Sequence, residues 1–315
     1  MKKQKGIALI TILVMVALAT ILAATIAQRQ KFTTENTAYL IRQNQSLWYA
    51  KSAETFFSAL LEEDAENAAD VDHLQENWAK PMPAFPVEDG YITGQLRDES
   101  GKFNLNSLVN DSGQVNIAAK QWFERILLKV GLPAELSQAV IDWQDADNEV
   151  MGPMGAEENY YRGLTPAYLP ANAKFHSVEE LKMVRGFEGE KYLQISAYVS
   201  AIRLSSVAVN INTAPALILA SLGENIDVQA VEAELEKKQQ SMEHFSNTDE
   251  LWGLTPFAQI NSETRTALQS LMGVKSSYFQ AKIEVMLSER KRQFRTYLLR
   301  EDKKVYVVSR SLAPE

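Results

Sequence analysis

The sequence IALITILVMVALATILAATIA, residues 7–27, contains no charged residue, no glycine and no proline. At about 1.5 Å per residue, a helix of this length spans about 31 Å, which is enough to cross the hydrocarbon core of a membrane. Lys2, Lys3 and Lys5 precede the apolar segment. Because positive charge is retained in the cytoplasm, we expect a single-pass anchor with a cytoplasmic N-terminus and the bulk of the chain on the other side.

Three kinds of N-terminal signal are compatible with this segment. A cleaved signal peptide is disfavoured, because the apolar segment is long and Ala24-Thr25-Ile26 is a poor cleavage site. A plain membrane anchor remains an alternative. The third is a prepilin leader: the basic residues 1–6 end in Gly6, an aliphatic residue follows, and the apolar helix begins there. This order resembles prepilins, in which cleavage after the glycine would make Ile7 the first mature residue.

The fifth position of that mature chain is Thr11. Most members of the pilin family carry glutamate there, and its carboxylate is thought to pair with the N-terminal amine of a neighbouring subunit. An unpaired carboxylate in the membrane would cost several kcal/mol. A subunit without this glutamate can therefore occupy a position where no subunit lies ahead. In lacking the glutamate, the chain resembles the K-type minor pseudopilins of type II secretion systems.

Composition limits the remaining possibilities. The chain has 315 residues and a net charge of -8, which suggests about two domains beyond the anchor and argues against a nucleic-acid-binding surface. It contains no cysteine, so no disulfide can stabilise an exported domain. Stability must come from a hydrophobic core, from assembly or from a metal ion.

The pattern after the anchor predicts an α+β domain with a long stalk helix. Apolar residues recur at helical spacing as far as Leu61, so a helix over 7–61 is expected, and the acidic residues 62–66 should end it. We interpret residues 81–86, with three prolines, as a linker. The predicted antiparallel strands lie at 90–98, 102–106, 279–287, 292–300 and 304–309. A pilin-like domain would then comprise residues 28–104 and 276–315.

The segment between these strands, residues 105–275, is predicted to be an all-helical insert with two degenerate, SAM-like repeats at 105–205 and 206–275. Residues 104–108 resemble 210–214, and residues 175–181 resemble 245–251. In both members of the second pair, 175–181 and 245–251, a serine, threonine or asparagine precedes acidic residues and a leucine, as at the start of a short helix. Chance similarity remains the alternative to a repeat.

An acidic loop at 142–161 interrupts the first repeat. Asp142, Asp145, Asp147, Glu157 and Glu158 would repel one another unless a cation or solvent compensates them. Calcium suits such a loop because it takes six to eight oxygen ligands in flexible geometry. The loop contains no histidine or cysteine, which zinc would require. The spacing is not that of an EF-hand. A solvated surface loop is the alternative, but Trp143, Tyr160 and Tyr161 indicate a packed one.

The motif Asp142-Trp143 with Asp145 and Asp147, followed by Gly155-Ala156-Glu157, resembles the type II secretion minor pseudopilin K family, also called general secretion pathway protein K. The resemblance covers nearly the whole chain. It implies calcium binding in this loop, with a second ion possible, and a bacterial inner-membrane protein that moves to the tip of a periplasmic pseudopilus. It also implies leader removal and methylation by the prepilin peptidase, and contact with I- and J-type minor pseudopilins, the major pseudopilin and the inner-membrane assembly platform. The filament would support export of folded proteins across the outer membrane.

Catalytic motifs are missing from the sequence. We find no Gly-x-Ser-x-Gly, no His-Glu-x-x-His and no phosphate-binding glycine-rich loop, and the three histidines are scattered. We therefore predict a protein that is not an enzyme, with an anchored hydrolase using the acidic loop as a remote alternative. A pilin-like module for DNA uptake or a type IV pilus is the second alternative, because 129–133 resembles a helix-hairpin-helix turn.

Overall fold

The computed structural model describes residues 7–67, 70–204 and 206–312. The leader, including Gly6, lies outside these ranges. In chain order, the α-helices are α1 (Ile7–Asn67), α2 (Ile117–Lys129), α3 (Leu136–Asp142), α4 (Glu158–Arg162), α5 (Glu190–Ser196), α6 (Ala216–Ala220), α7 (Val228–Gln240) and α8 (Ser262–Gln269). The strands are β1 (Met82–Val87), β2 (Gly90–Asp98), β3 (Phe103–Asn104), β4 (Val199–Ser200), β5 (Val209–Asn210), β6 (Met272–Gly273), β7 (Tyr278–Leu287), β8 (Arg290–Glu301) and β9 (Lys304–Ser311).

Helix α1 has two halves with different surroundings. Every residue from Ile7 to Thr37 is exposed, and among the described residues α1 is the one helix long and apolar enough to span a membrane. The second half packs on the sheet. The predicted end at Leu61 is wrong, because α1 continues to Asn67. Its acidic end is stabilised by the sheet: Glu62 accepts the Val305 N–H at 3.1 Å, and Arg300 binds Asp64 at 2.9 Å.

The sheet has the order β1-β2-β7-β8-β9, and all neighbours are antiparallel. Strands β2 and β7 pair directly from Gly90↔Leu287 to Asp98↔Phe279, so the long intervening segment leaves and re-enters at one end of the sheet. Alternate residues of β7 face α1, as the period-two pattern predicted. The core between them contains Ala50, Ala53, Phe57, Leu61, Trp78, Ile92, Leu96, Phe279, Ala281, Ile283, Val285, Leu287, Phe294 and Leu298. The α+β prediction is confirmed.

Two local predictions are wrong. Residues 81–86 are mostly an edge strand, β1, because prolines are tolerated where an N–H would face solvent. The strand predicted at 102–106 does not return along β2. Only Phe103 and Asn104 are extended, and they pair in parallel with β4, which lies near the middle of the intervening segment.

Side-chain contacts at three points along α1 fix its direction along the sheet. Near the exposed apolar half, Tyr39 lies against Arg290 and Arg292 of the β7–β8 hairpin. At mid-sheet Glu54 binds Arg310 at 2.7 and 2.8 Å. At the far end Arg300 binds Asp64. The hairpin is therefore the part of the sheet nearest the apolar segment, and the intervening segment lies at the opposite end.

The intervening segment has its own hydrophobic core, from Phe103 to Met272. It is mainly helical, but the expectation of an all-helical insert omitted two short parallel pairs, β3–β4 and β5–β6. The strands are only two residues long, so they leave little periodicity to detect.

The same hydrogen-bonded arrangement occurs twice in this segment. The Asn106 side chain accepts the Phe175 N–H at 2.7 Å and donates to the Phe175 carbonyl at 2.9 Å. The Asn212 side chain does the same with Phe245, at 2.7 and 3.0 Å. Each asparagine follows a two-residue strand, β3 or β5, and each phenylalanine precedes a 3-10 helix, Val178–Met183 or Thr248–Gly253. The predicted ranges of the domains and repeats remain predictions.

Candidate metal centre

Three of the predicted carboxylates converge in the acidic loop. Asp142 ends α3, Asp145 lies in the turn that follows, and Glu157 precedes α4. All three residues are buried, and one carboxylate oxygen from each lies within 4.8 Å of the others. We call these three residues the loop cluster.

Several loop-cluster oxygens have no hydrogen-bond partner. Asp145 Oδ1 and both carboxylate oxygens of Glu157 are enclosed and unpartnered. A buried carboxylate without a donor loses its hydration and gains nothing in return, so native structures rarely keep one. The arrangement therefore leaves acceptors directed at a common point without a protein group to satisfy them.

Burial and mutual repulsion also raise the pKa of these groups. The pKa of Asp145 rises to about 7, first because of burial and then because of Asp147 and Asp142. The pKa of Glu157 also rises to about 7, through burial and then through Asp142, Asp145 and Asp147. Burial raises the pKa of Asp142 as well, although two backbone N–H groups oppose the shift. A divalent cation would favour the ionised forms and reverse these shifts.

The backbone of the loop holds Asp142 in place. Its carboxylate accepts the N–H of Met151 at 3.1 Å and that of Ala156 at 2.8 Å. Gly155 is required here, because a Cβ at this position would collide with Asp142 Oδ2. The loop therefore folds around this carboxylate.

Aromatic packing supports the loop from below, as the sequence indicated. Trp143 and Tyr161 are buried and meet edge to face, with ring centroids 5.3 Å apart. Trp143 also lies against Phe175. The backbone N–H of Phe175 donates to the Asn106 side chain. Packing of this kind fixes the turn between Asp142 and Asp145.

The other two predicted ligands lie outside the loop cluster. Asp147 is exposed, and its Oδ1 accepts the Glu149 N–H at 2.8 Å. It remains close enough to raise the pKa of Asp145 and Glu157. Glu158 pairs with Arg162 at 2.6 Å, one turn further along α4. The i,i+4 spacing of Glu158 and Arg162 in the sequence indicates this ion pair.

Two residues that support the loop were missed in the sequence. Arg185 donates to the Gly155 carbonyl at 2.8 Å and lies over the Tyr160 ring. Gln138 accepts the Met154 N–H at 2.9 Å. Arg185 lies far from the loop in sequence and has no local signal. Gln138 precedes Asp142 by one helical turn, which places both on the same face of α3.

Oxygen-only ligands on a loop suit calcium better than zinc or copper, which prefer nitrogen and sulfur. The donor set therefore fits the predicted ion. Asp142, Asp145 and Glu157 would supply the negative charge that holds the ion.

A second carboxylate group, formed by Asp64, Asp72 and Glu76, has similar spacing but different partners. Arg300 binds Asp64 at 2.9 Å and also binds Asp72. The Ser276 N–H donates to Asp72, and Trp78 Nε1 donates to Glu76 at 2.7 Å. We call Asp64, Asp72, Glu76 and Arg300 the joint cluster, because it lies where α1, the sheet and the intervening segment meet.

The helix-hairpin-helix turn between α2 and α3 directs its cations inward. Arg125 donates to the Ser221 carbonyl and Lys129 to the Ile226 carbonyl, both at 2.7 Å. Phosphate binding needs such groups at the surface. This turn therefore gives no support to the DNA-uptake alternative.

The fold defines a pilin-like subunit: a helix whose apolar half is free and whose second half packs on an antiparallel sheet, with a large helical segment added at the far end. Family models for protein K of the type II secretion system match residues 101–204 and 209–275. The chain belongs to the type II secretion system protein K family.

Relatives along the full length support this assignment. Type II secretion system protein K of Aeromonas hydrophila is 32% identical, over 98% of this chain and 97% of the relative. The protein of the same name from Pseudomonas aeruginosa is 34% identical, over 98% and 93% of the two chains. In a crystal structure of the GspK-GspI-GspJ complex from enterotoxigenic Escherichia coli, one chain matches with a TM-score of 0.78 at 22% identity, over 89% of this chain and 100% of that chain. That likeness confirms the fold.

Proposed function

We propose that this chain is the minor pseudopilin at the tip of the type II secretion pseudopilus, where it supports filament assembly and export of folded proteins. The observation that carries the proposal is Thr11. Its hydroxyl donates within its own helix, to Ala8 O at 2.9 Å and Ile7 O at 3.2 Å. The side chain is thereby satisfied and requires no amine from a subunit ahead, unlike a glutamate at this position.

The shape of the molecule supports the same position. The bulky intervening segment lies at the end of the sheet opposite the apolar half of α1. Such a segment would obstruct the stacking of a further subunit above it, but it fits at an end. Leader removal after Gly6 would give the mature Ile7, and the apolar half of α1 would first anchor the protein in the inner membrane and then enter the filament.

The partners proposed for the tip are I- and J-type minor pseudopilins, with the major pseudopilin below. The similar crystal structure contains GspK together with GspI and GspJ, which supports this choice. The exposed apolar residues of α1, such as Phe32, Ile41 and Trp48, suit lateral packing against other helices. The prepilin peptidase and the inner-membrane assembly platform are the expected transient partners.

Calcium is the proposed ligand of the loop cluster, and its proposed role is structural. When bound, the ion supplies positive charge where three carboxylates converge. The chain's own residues do the rest: Asp142 orders the 151–156 backbone, Arg185 restrains Gly155, and Trp143 packs beneath. We propose no catalytic role, since the clustered carboxylates act as ligands.

Labelling of filaments tests the tip position. In cells that overproduce the major pseudopilin, a tagged copy of this protein should label one end of each filament. Thr11→Glu should shift part of the label into the shaft, because the new carboxylate can pair with a subunit ahead. A matched Thr20→Glu variant, which places the same charge further along the apolar half of α1, controls for the added charge. Wild-type label along the whole shaft would contradict the proposal.

Processing is tested independently by mass spectrometry of the membrane-extracted protein. The expected N-terminal residue is Ile7, carrying a methyl group on its amine. An intact Met1 in a functional strain would contradict the prepilin interpretation.

A further inference from the structure

In the described part of the chain, strand β8 extends beyond its partner β9 at the end nearest the apolar half of α1. β8 begins at Arg290, but its pairing with β9 begins only at Arg295, opposite Ser311. Among the described residues, the β8 segment from Arg290 to Phe294 has a neighbour on one side only, β7. We call this segment the open edge.

The phase of the β7–β8 ladder shows which groups the open edge presents. Ser288 and Glu289 form a two-residue turn with φ of +46° and +61°, so the flanking residues Leu287 and Arg290 form a hydrogen-bonded pair. Antiparallel ladders alternate bonded and non-bonded pairs. Lys291 therefore falls at a non-bonded position with respect to β7.

Gln293 falls at the next non-bonded position, so the N–H and C=O groups of Lys291 and Gln293 point away from β7. The same phase directs Arg295 and Leu299 toward β9, where both find partners. The open edge therefore presents the backbone groups of two residues, Lys291 and Gln293, to an additional strand. Such a strand would run antiparallel to β8, in line with β9.

A recess of about 580 Å³ lies beside the open edge. Its apolar lining comes from Tyr39 and Leu47 of α1, Phe294 of β8 and Leu312, and its polar lining comes from α1 and β8: Gln43, Asn44, Lys291, Arg292 and Gln293. Tyr39 is 45% exposed and Leu312 is 62% exposed, so the recess holds apolar surface in contact with solvent. A recess of this kind accepts one or two apolar side chains.

Positive charge surrounds the recess. The guanidinium groups of Arg290 and Arg292 lie 5.6 and 5.4 Å from the Tyr39 ring. Lys291 pairs with Glu284 on the neighbouring strand. An incoming carboxylate could therefore reach Arg292 without displacing an ion pair, because the contact between Arg292 and Tyr39 is made through the ring face.

The opposite edge of the sheet is protected. Strand β1 carries Pro83 and Pro86, with Pro81 just before it, and proline has no N–H to donate to a ladder. Edges blocked in this way resist pairing with other chains. The open edge contains no proline, so the two edges differ in their capacity to accept a strand.

We propose that the open edge of β8 binds an extended segment of a neighbouring pilin-like subunit, which adds in line with β9, antiparallel to β8. The segment places an apolar side chain in the recess and a carboxylate beside Arg292. This inference rests on the proposed tip complex and names the surface through which the subunit joins it.

Co-purification of the full-length protein in detergent with co-expressed I- and J-type subunits tests the proposal. Gln293→Pro removes one outward N–H but leaves the ladder with β7 intact. Arg292→Glu reverses the charge that should meet the carboxylate. Each variant should retain about one tenth of the wild-type amount of at least one partner. Ala84→Pro on the protected edge is the matched control and should retain the wild-type amount.

Melting curves keep the outcome decisive. Arg292→Glu is expected to melt near the wild-type temperature. If Gln293→Pro unfolds, the co-purification of Arg292→Glu alone tests the inference. Unchanged co-purification of Arg292→Glu overturns the inference alone. Failure of the wild-type protein to retain either subunit overturns the proposed tip complex as well. A photo-crosslinker at Gln293 should join the retained subunit, and crosslinks only to residues 313–315 of the same chain would also overturn the inference.

Discussion

The loop cluster and the joint cluster contain the same type of group in nearly the same geometry, yet they have different electrostatic environments. Each brings three carboxylates within 4.8 Å. At the joint, Arg300 is 8% exposed and binds Asp64 and Asp72, and the His73 backbone N–H and the Trp78 indole N–H donate to the third carboxylate, Glu76. In the loop, three carboxylate oxygens lack a hydrogen bond of good geometry.

The difference shows that carboxylate density alone does not identify a metal site. The joint cluster is partly compensated within the chain by the Arg300 guanidinium of β8, although burial still raises the pKa of Asp64 to about 6. Among the described residues no cation pairs with the loop cluster, and we propose that calcium compensates it. Unpartnered buried oxygens are therefore the more specific sign of a missing ligand.

Removal of Arg300 should break the joint cluster and have the largest effect. Arg300→Met leaves Asp64 and Asp72 buried without their cation, so we expect a loss of about 3–5 kcal/mol in the free energy of unfolding. Urea unfolding of the full chain in detergent measures it. Lys237→Met, which breaks an exposed pair with Glu234, is the control and should change stability by less than about 0.5 kcal/mol. Equal effects of the two variants would contradict the compensated joint.

Calcium should stabilise the protein through the loop cluster by a smaller amount. At calcium concentrations of about one hundred times the Kd, a ligand that binds only the native state adds about 2.7 kcal/mol. Thermal unfolding with calcium, and then with a chelator, measures the shift. Asp145→Asn should abolish the shift, and Asp64→Asn should leave it intact. A shift that survives Asp145→Asn would place the ion elsewhere.

Neutralising the loop cluster should stabilise the protein when calcium is removed. Glu157→Gln eliminates a buried charge that repels Asp142 and Asp145. We expect a gain of about 1–2 kcal/mol in chelator, which allows for solvent access to the loop. The same substitution should destabilise the protein in calcium. Glu158→Gln, on the adjacent residue, serves as the control, and a loss in chelator for Glu157→Gln would argue against repulsion in the loop.

The pH dependence should change sign with calcium. In chelator, Asp145 and Glu157 have pKa values of about 7 in the folded protein, well above their unfolded values. The folded state then binds protons more tightly, so stability should rise by about 1 kcal/mol as the pH falls from 8 to 6. With saturating calcium, protons compete with the ion and stability should fall over the same range. Parallel slopes in the two conditions would contradict this account.

The sequence predicted most of the fold because several elements have strong local signals. The apolar segment and the alternation in β7 each depend on neighbouring residues. The two-residue strands β3 to β6 do not, since their partners lie about 60 to 100 residues away. The end of α1 was misplaced for the same reason, because the partners of Glu62 and Asp64 lie on β8 and β9.

The candidate site divides in the same way. Asp142, Asp145 and Glu157 were identified from the motif. That Glu158 lies outside the loop cluster could not be predicted, because it depends on where α4 begins and on the pairing of Glu158 with Arg162. Arg185 could not be identified, because nothing near it in the sequence indicates contact with Gly155. The joint cluster was missed entirely, since its cation and carboxylates come from α1, the segment after it and β8.

Calorimetric titration of the full-length protein with calcium tests the central claim most directly. We expect one binding event that persists in Asp64→Asn and disappears in the double variant Asp145→Asn, Glu157→Gln, while all three proteins remain folded by circular dichroism. Binding that is unchanged in the double variant, or that is lost in Asp64→Asn, would contradict the assignment of the loop cluster as the metal site.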